Sequence, residues 1–179
     1  MIMDVAQLIR DCKSALQEDL PTKGIREAVT RAVSNEKAAI KALGKLNRGG
    51  VNKIFVSDEL TILNIVWSPG LKIMPHNHNM WAVIGIYSGQ EDNIFWRRVK
   101  DDKNGRIEEA NRKSLGPTEV TVLGENIIHS VTNPTNKFTG AIHVYGGDFF
   151  ETHRSEWSFN SLEEQPYDIE KNMRAFEES

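Results

Sequence analysis

The chain holds a single cysteine, Cys12, among its 179 residues. One thiol cannot close an intrachain disulfide, so a reducing cytoplasm is the expected compartment. Long apolar runs are missing too. Stretches such as Ile62 to Trp67 and Trp81 to Tyr87 fall far short of the ~20 residues that cross a bilayer. Charge of one sign is lacking. Lysine and arginine number 22 against 25 acids, a net −3, which gives no basic face for nucleic acid. No G-x-G-x-x-G and no P-loop occurs, so a nucleotide cofactor has no obvious cradle. The start, "MIMDVAQLIRDCKSALQEDL", sets acids among its apolar residues and has no small-residue cleavage site. It reads as a helix rather than a signal peptide.

What is present falls into three parts. Residues 1–48 carry helical signals. Val5, Leu8, Ile9, Cys12 and Leu16 recur at three and four, the spacing of one helix face, and Asp4 is placed to cap the first turn. Pro21 and Gly24 separate this helix (3–18) from a second segment, 23–44, which ends near Gly44. Cys12 sits on the packing face and is expected to be inert. Residues 49–160 then read as seven or eight short strands with turns and no helices between them, an antiparallel barrel or sandwich. "QED" after Gly89 reads as a polar turn, and "RIEEANRKSL" as an edge strand. Residues 161–179 form a charged tail with room for a short helix.

The chemistry concentrates in histidines. "MPHNHNMW" sets His76 and His78 two apart, on one face of a strand, where two neutral imidazoles can grip one cation. "GENIIHSVTN" supplies His129 with Asn133 four residues on. "AIHVY" puts Ala141, His143 and Tyr145 on one face by the period of two. His153 lies among charged residues and is read as surface. Trp67, Trp81, Phe95 and Trp96 are read as barrel core, Asn77 and Asn79 as turn formers.

The run from Gly70 through His76 and His78 to Gly89, together with His129 and Asn133, resembles the two motifs of the cupin superfamily. The resemblance implies an all-β fold, the cupin double-stranded β-helix or jelly-roll-like barrel, carrying N-terminal helices. It also implies a metal held by His76, His78 and His129. The glutamate usual four residues after the second histidine is Ala82 here, and Ala82 still faces the cavity by the period of two. A three-histidine cupin without a carboxylate is similar to the thiol dioxygenases, the cysteine dioxygenase and 3-mercaptopropionate dioxygenase group, above all their bacterial branch. That group carries a serine-x-histidine-x-tyrosine run, matched here by Ala141, His143 and Tyr145 with the serine replaced.

The implied activity is oxidation of a small thiol to its sulfinate by O2 at Fe(II). Tyr145 would donate its hydroxyl at the reacting centre and His143 would orient it, without the serine that steadies the histidine elsewhere in the group. An anionic thiol would need a cation, and Lys53 and Arg154 are the candidates. The implied partners are a small-molecule thiol and O2, with no nucleic acid and no membrane, in a monomer or homodimer. Two other readings stay open at this point: a three-histidine dioxygenase that cleaves a carbon–carbon bond of a small diketone, and a metal- or small-molecule-binding cupin without turnover.

Overall fold

The computed structural model describes residues 2–179. Three helices come first: α1 (Val5–Ala15), α2 (Pro21–Val33) and α3 (Glu36–Leu43). Asp4 caps α1 as its sequence position suggests, its carboxylate accepting from the Gln7 backbone N–H at 3.1 Å. The single helix expected over 23–44 is two helices. Asn35 leaves the helical conformation (φ −142°) and accepts from the Ala38 N–H at 3.0 Å, so it starts α3 instead of continuing α2. A side chain that competes for backbone donors in this way favours a cap over a helix interior.

Eleven strands follow among the described residues, more than the seven or eight expected: β1 (Gly50–Val56), β2 (Thr61–Trp67), β3 (Lys72–Asn77), β4 (Ala82–Ser88), β5 (Glu91–Arg98), β6 (Ile107–Leu115), β7 (Val120–Leu123), β8 (Ile128–Thr132), β9 (Thr139–Tyr145), β10 (Ser155–Trp157) and β11 (Glu164–Pro166). Helix α4 (Ile169–Glu177) closes the chain. Two of the extra strands, β10 at the end of the 49–160 span and β11 in the tail, pair with each other, and β10 adds to β3. All pairings are antiparallel, in two sheets ordered β1-β2-β9-β4-β7 and β11-β10-β3-β8-β5-β6. Strand β6, the "RIEEANRKSL" run, lies at a sheet edge as read from sequence.

Strands β2, β4 and β9 are buried along their whole length. One face of each packs against the helices: Ile62, Val83, Tyr87, Ile142 and Val144 join Leu8, Cys12, Ile25, Val29 and Val33 in one apolar cluster. The other face, with Leu63, Ile65, Trp67, Ala82, Ile84, Ala141 and Tyr145, points between the sheets. Two covered faces explain why "LTILNIVW" and "AVIGIY" read as continuous apolar runs rather than as alternation. Cys12 is fully buried, and burial pushes its thiol up to about 12, which fits an inert packing residue.

The two glycines of the histidine motif both hold left-handed backbone, Gly70 at φ +75° and Gly89 at φ +78°. A side chain is strained there, and at Gly89 a Cβ would also collide with Thr139. These glycines set the turns that bracket β3 and β4, and so the point where the histidines enter the barrel.

Candidate metal centre

The three histidines come from two neighbouring strands. His76 on β3 stands directly opposite His129 on β8 in the antiparallel register, and His78 follows just past the end of β3. The register slips between Ile73 and His76, at Pro75, which has no N–H to give to a ladder. Asn79 then takes φ +53°, and its side chain donates to the His153 carbonyl at 3.0 Å. Asparagine tolerates that conformation. The reversal leaves His78 facing inward beside His76.

One potential ligand nitrogen from each of His76, His78 and His129 lies within 4.8 Å of the others, and all three residues are buried. Two of the rings are fixed from behind. The Nδ1 of His76 sits 2.8 Å from the Met74 carbonyl, and the Nδ1 of His129 sits 2.7 Å from Asn93 Oδ1. Those oxygens can only accept, so each Nδ1 carries the proton and each Nε2 presents a lone pair. The Nε2 atoms of His78 and His129 face one another at 2.9 Å. His78 has no partner at Nδ1, so its Nε2 either donates a proton to His129 across this contact or, with the proton on Nδ1, turns a second lone pair toward the same point, where one cation would accept both. Burial drives the His76 imidazole down to about 4, and drives His78 and His129 well below their ordinary value. The rings are therefore neutral ligands at neutral pH rather than imidazolium ions. The donor set, three imidazoles with no acid in the group, fits zinc, copper, iron or nickel and not calcium or magnesium. Ala82 packs in the inter-sheet cluster with Tyr145, so the carboxylate position faces inward and is empty of acid.

A small cavity of about 30 Å³ opens at the three nitrogens. Its walls include Trp67, Tyr145, Phe149, Tyr167, Met173 and Phe176. Tyr145 Oη lies 2.9 Å from His143 Nδ1, both residues buried, and His143 also lines the cavity. Burial holds the Tyr145 hydroxyl well above its usual range, with the Arg154 guanidinium pulling weakly the other way. The phenol stays protonated and able to donate.

The two cationic candidates differ in place. Lys53 is exposed on edge strand β1, its Nζ over the Phe150 ring at 3.9 Å, and it does not line the cavity. Arg154 does not line the cavity either, but it is buried directly behind it, its guanidinium held between the rings of two cavity walls, Phe149 (4.3 Å) and Tyr167 (4.1 Å). Its Nη1 donates to the carbonyls of Phe149 and Thr152. Its Nε and Nη2 have no partner, and among the described residues no carboxylate pairs with it. His153 is exposed, as expected.

Sequence reasoning missed part of this site. "QED" is not a turn: Glu91 heads β5 and is fully buried, and Asn93 holds His129. Counting back in twos from Phe95, which is read as core, gives both positions. The tail residues Tyr167, Met173 and Phe176 also carried a signal, an apolar spacing within "PYDIEKNMRAF".

No family model matches the chain. Solved structures with a related fold include an RmlC-like cupin family protein with a double-stranded β-helix fold from Methanocaldococcus jannaschii, 14% identical over 57% of this chain and 84% of that one, at a TM-score of 0.46. An uncharacterised protein with a double-stranded β-helix domain from Klebsiella pneumoniae is 9% identical over 69% of this chain and 88% of that one, at 0.44. An oxalate decarboxylase variant from Bacillus subtilis is 16% identical over 58% of this chain and 27% of that one, also at 0.44. These likenesses concern the arrangement of strands. The chain itself has two antiparallel sheets with helices added at its N-terminus, and it gathers three buried histidines between the sheets.

Proposed function

We propose that this protein is an iron-dependent dioxygenase that converts a small anionic thiol to its sulfinate with O2. The observation that carries the reading is the pairing of an acid-free three-histidine group with a buried Tyr145–His143 contact at 2.9 Å on the same cavity. His76, His78 and His129 would hold the ion through Nε2. When bound, divalent iron supplies a cationic, redox-active centre that attracts a thiolate and O2.

The remaining work belongs to the chain. Neutral ligands leave the ion's full charge available, which favours an anionic sulfur over a neutral one. Arg154, with two unpartnered nitrogens, Nε and Nη2, behind the cavity walls Phe149 and Tyr167, is the cation best placed to hold a carboxylate on the same substrate. A guanidinium presents a planar fork that matches a carboxylate. Exposed Lys53 fits that task less well. Trp67, Phe149, Met173 and Phe176 keep bulk water from the reacting atoms. Tyr145 keeps its proton and donates it as a hydrogen bond where negative charge grows on oxygen. Overall, a thiolate and O2 become a sulfinate: two S–O bonds form, the O–O bond breaks, and sulfur supplies all the electrons. No external reductant is needed, in keeping with a sequence that has no nucleotide-binding motif.

The cavity of about 30 Å³ limits the substrate to a few heavy atoms, since one water alone needs roughly 10–15 Å³ by the same measure. Oxygen uptake by the ferrous protein on 3-mercaptopropionate, cysteine, cysteamine and a small diketone tests the reading. Uptake with a carboxylate-bearing thiol, matched by sulfinate in the product, is expected. Uptake on the diketone alone, or none with iron bound, would replace the thiol reading with carbon–carbon cleavage or with binding alone.

A further inference from the structure

The side of His143 away from Tyr145 faces a second acid-bearing residue. Glu91 is fully buried, and its Oε2 lies 3.4 Å from His143 Nε2. Neither of these two buried atoms makes a hydrogen bond, with the other or with any other group among the described residues, so each is the other's nearest polar neighbour. Its other oxygen, Oε1, accepts from Asn93 Nδ2 at 3.0 Å, and Asn93 Oδ1 in turn accepts from His129 Nδ1 at 2.7 Å. The chain of contacts therefore runs Tyr145, His143, Glu91, Asn93, His129. It links the hydroxyl at the cavity to a metal-ligating ring without passing through the cavity. No lysine or arginine pairs with Glu91 among the described residues. A buried carboxylate oxygen with one neighbour, a ring nitrogen that can carry a proton, is stabilised only when that proton lies between them.

We propose that Glu91 is a positioning residue: it holds a proton on His143 Nε2 and thereby fixes the ring that orients Tyr145, while Asn93 ties the same carboxylate to His129. Ala141 carries no hydroxyl, so it cannot steady His143 from its own strand. Glu91 does so from β5, across the barrel interior. The same carboxylate orients Asn93 so that its amide oxygen, not its nitrogen, meets His129. One buried acid thus sets the proton positions on two histidines with different tasks. This inference rests on the dioxygenase reading for its catalytic meaning but not for its geometry.

The test uses the whole chain labelled with ¹⁵N at histidine and loaded with zinc, a diamagnetic stand-in for iron. Long-range proton–nitrogen correlation spectra report which ring nitrogen of each histidine is protonated. In the wild type, His143 is expected to be protonated at Nε2 and His129 at Nδ1. An unprotonated His143 Nε2 in the wild type overturns the proposal whatever any variant does. In Glu91→Gln the amide can offer an N–H to His143, and the expected result is loss of the Nε2 proton from His143. The same variant in its ferrous form should keep its iron and its KM within about threefold while kcat falls at least tenfold, and Glu91→Asp should recover part of kcat. A His143 spectrum unchanged in Glu91→Gln, or a loss of kcat matched by loss of iron, overturns it. Oxygen uptake by the wild type decides the dioxygenase reading separately, so the two fail independently.

Discussion

At the scale of single residues, period-two counting was the strongest signal in the sequence. It put His76 with His78 and His143 with Tyr145, and those pairs do share the cavity. It also put Ala82 inside, where it is. Glu91 and Asn93 share that period with Phe95, but a charged and an amide residue just after a glycine look like a turn. Their burial is stabilised by partners from other strands, His143 and His129, which no local pattern reveals. Two outcomes belong here. Tyr145→Phe removes the hydroxyl and keeps the ring that packs on Phe149 at 4.7 Å. Iron content should be unchanged and kcat should drop about tenfold or more, measured by oxygen uptake. Arg154→Met removes a charge that has no acidic partner and keeps much of the volume between Phe149 and Tyr167. KM for a carboxylate-bearing thiol should rise roughly 10–100-fold, the range for a lost charged hydrogen bond. KM for cysteamine, which has no carboxylate, should change little. An equal rise for both would show that Arg154 supports only packing.

Elements were legible where one face alone decides the pattern. The apolar stripe of α1 and its Asp4 cap follow directly from spacing. The split between α2 and α3 was hidden because Ser34 and Asn35 interrupt an otherwise continuous alanine-rich pattern without proline or glycine. Asn35→Ala should cost about 1 kcal/mol of stability through the lost cap, read as a lower urea midpoint at unchanged slope. A short helix in the tail was expected, and α4 is that helix, but its charge hid its place at the cavity. Only Asn172 and Phe176 of its residues are buried, yet it seals one end of the cavity. It is held there by Lys171 and Asn172 on the buried carboxylate of Glu156 (both 2.9 Å), and by Phe176 edge-on to Trp67 with ring centres 4.8 Å apart. Phe176→Ala should destabilise the fold by about 3 kcal/mol and widen the cavity. Thiols one or two methylenes longer should then turn over relative to the shortest substrate more readily than in the wild type, as competition assays would report.

The molecule as a whole is a barrel whose interior is dry enough to keep three imidazoles neutral, and this has a consequence for stability. Burial lowers the pKa of His76 to about 4 and holds those of His78 and His129 well below the ordinary value, while the unfolded chain protonates histidine near 6.5. Between those values the unfolded state binds more protons, so stability is full above pH 7 and is lost as pH falls toward 4. The metal-free protein should melt roughly 5 °C or more lower at pH 5 than at pH 7.5. Zinc at saturation should raise the melting temperature at pH 7.5 and raise it less at pH 5, since protons compete for the same nitrogens. A melting temperature independent of pH over that range would mean that the three rings are charged or solvated.

The most direct test of the metal centre is calorimetric titration of the metal-free chain with zinc, comparing the wild type with alanine at each of His76, His78, His129 and, as a control, exposed His153. One ion per chain should bind to the wild type and to His153→Ala alike, with each of the other three variants weakened at least a hundredfold while still folded by circular dichroism. Wild-type affinity in a folded His129→Ala protein would contradict the three-histidine centre, and with it the account of what the barrel is built to hold.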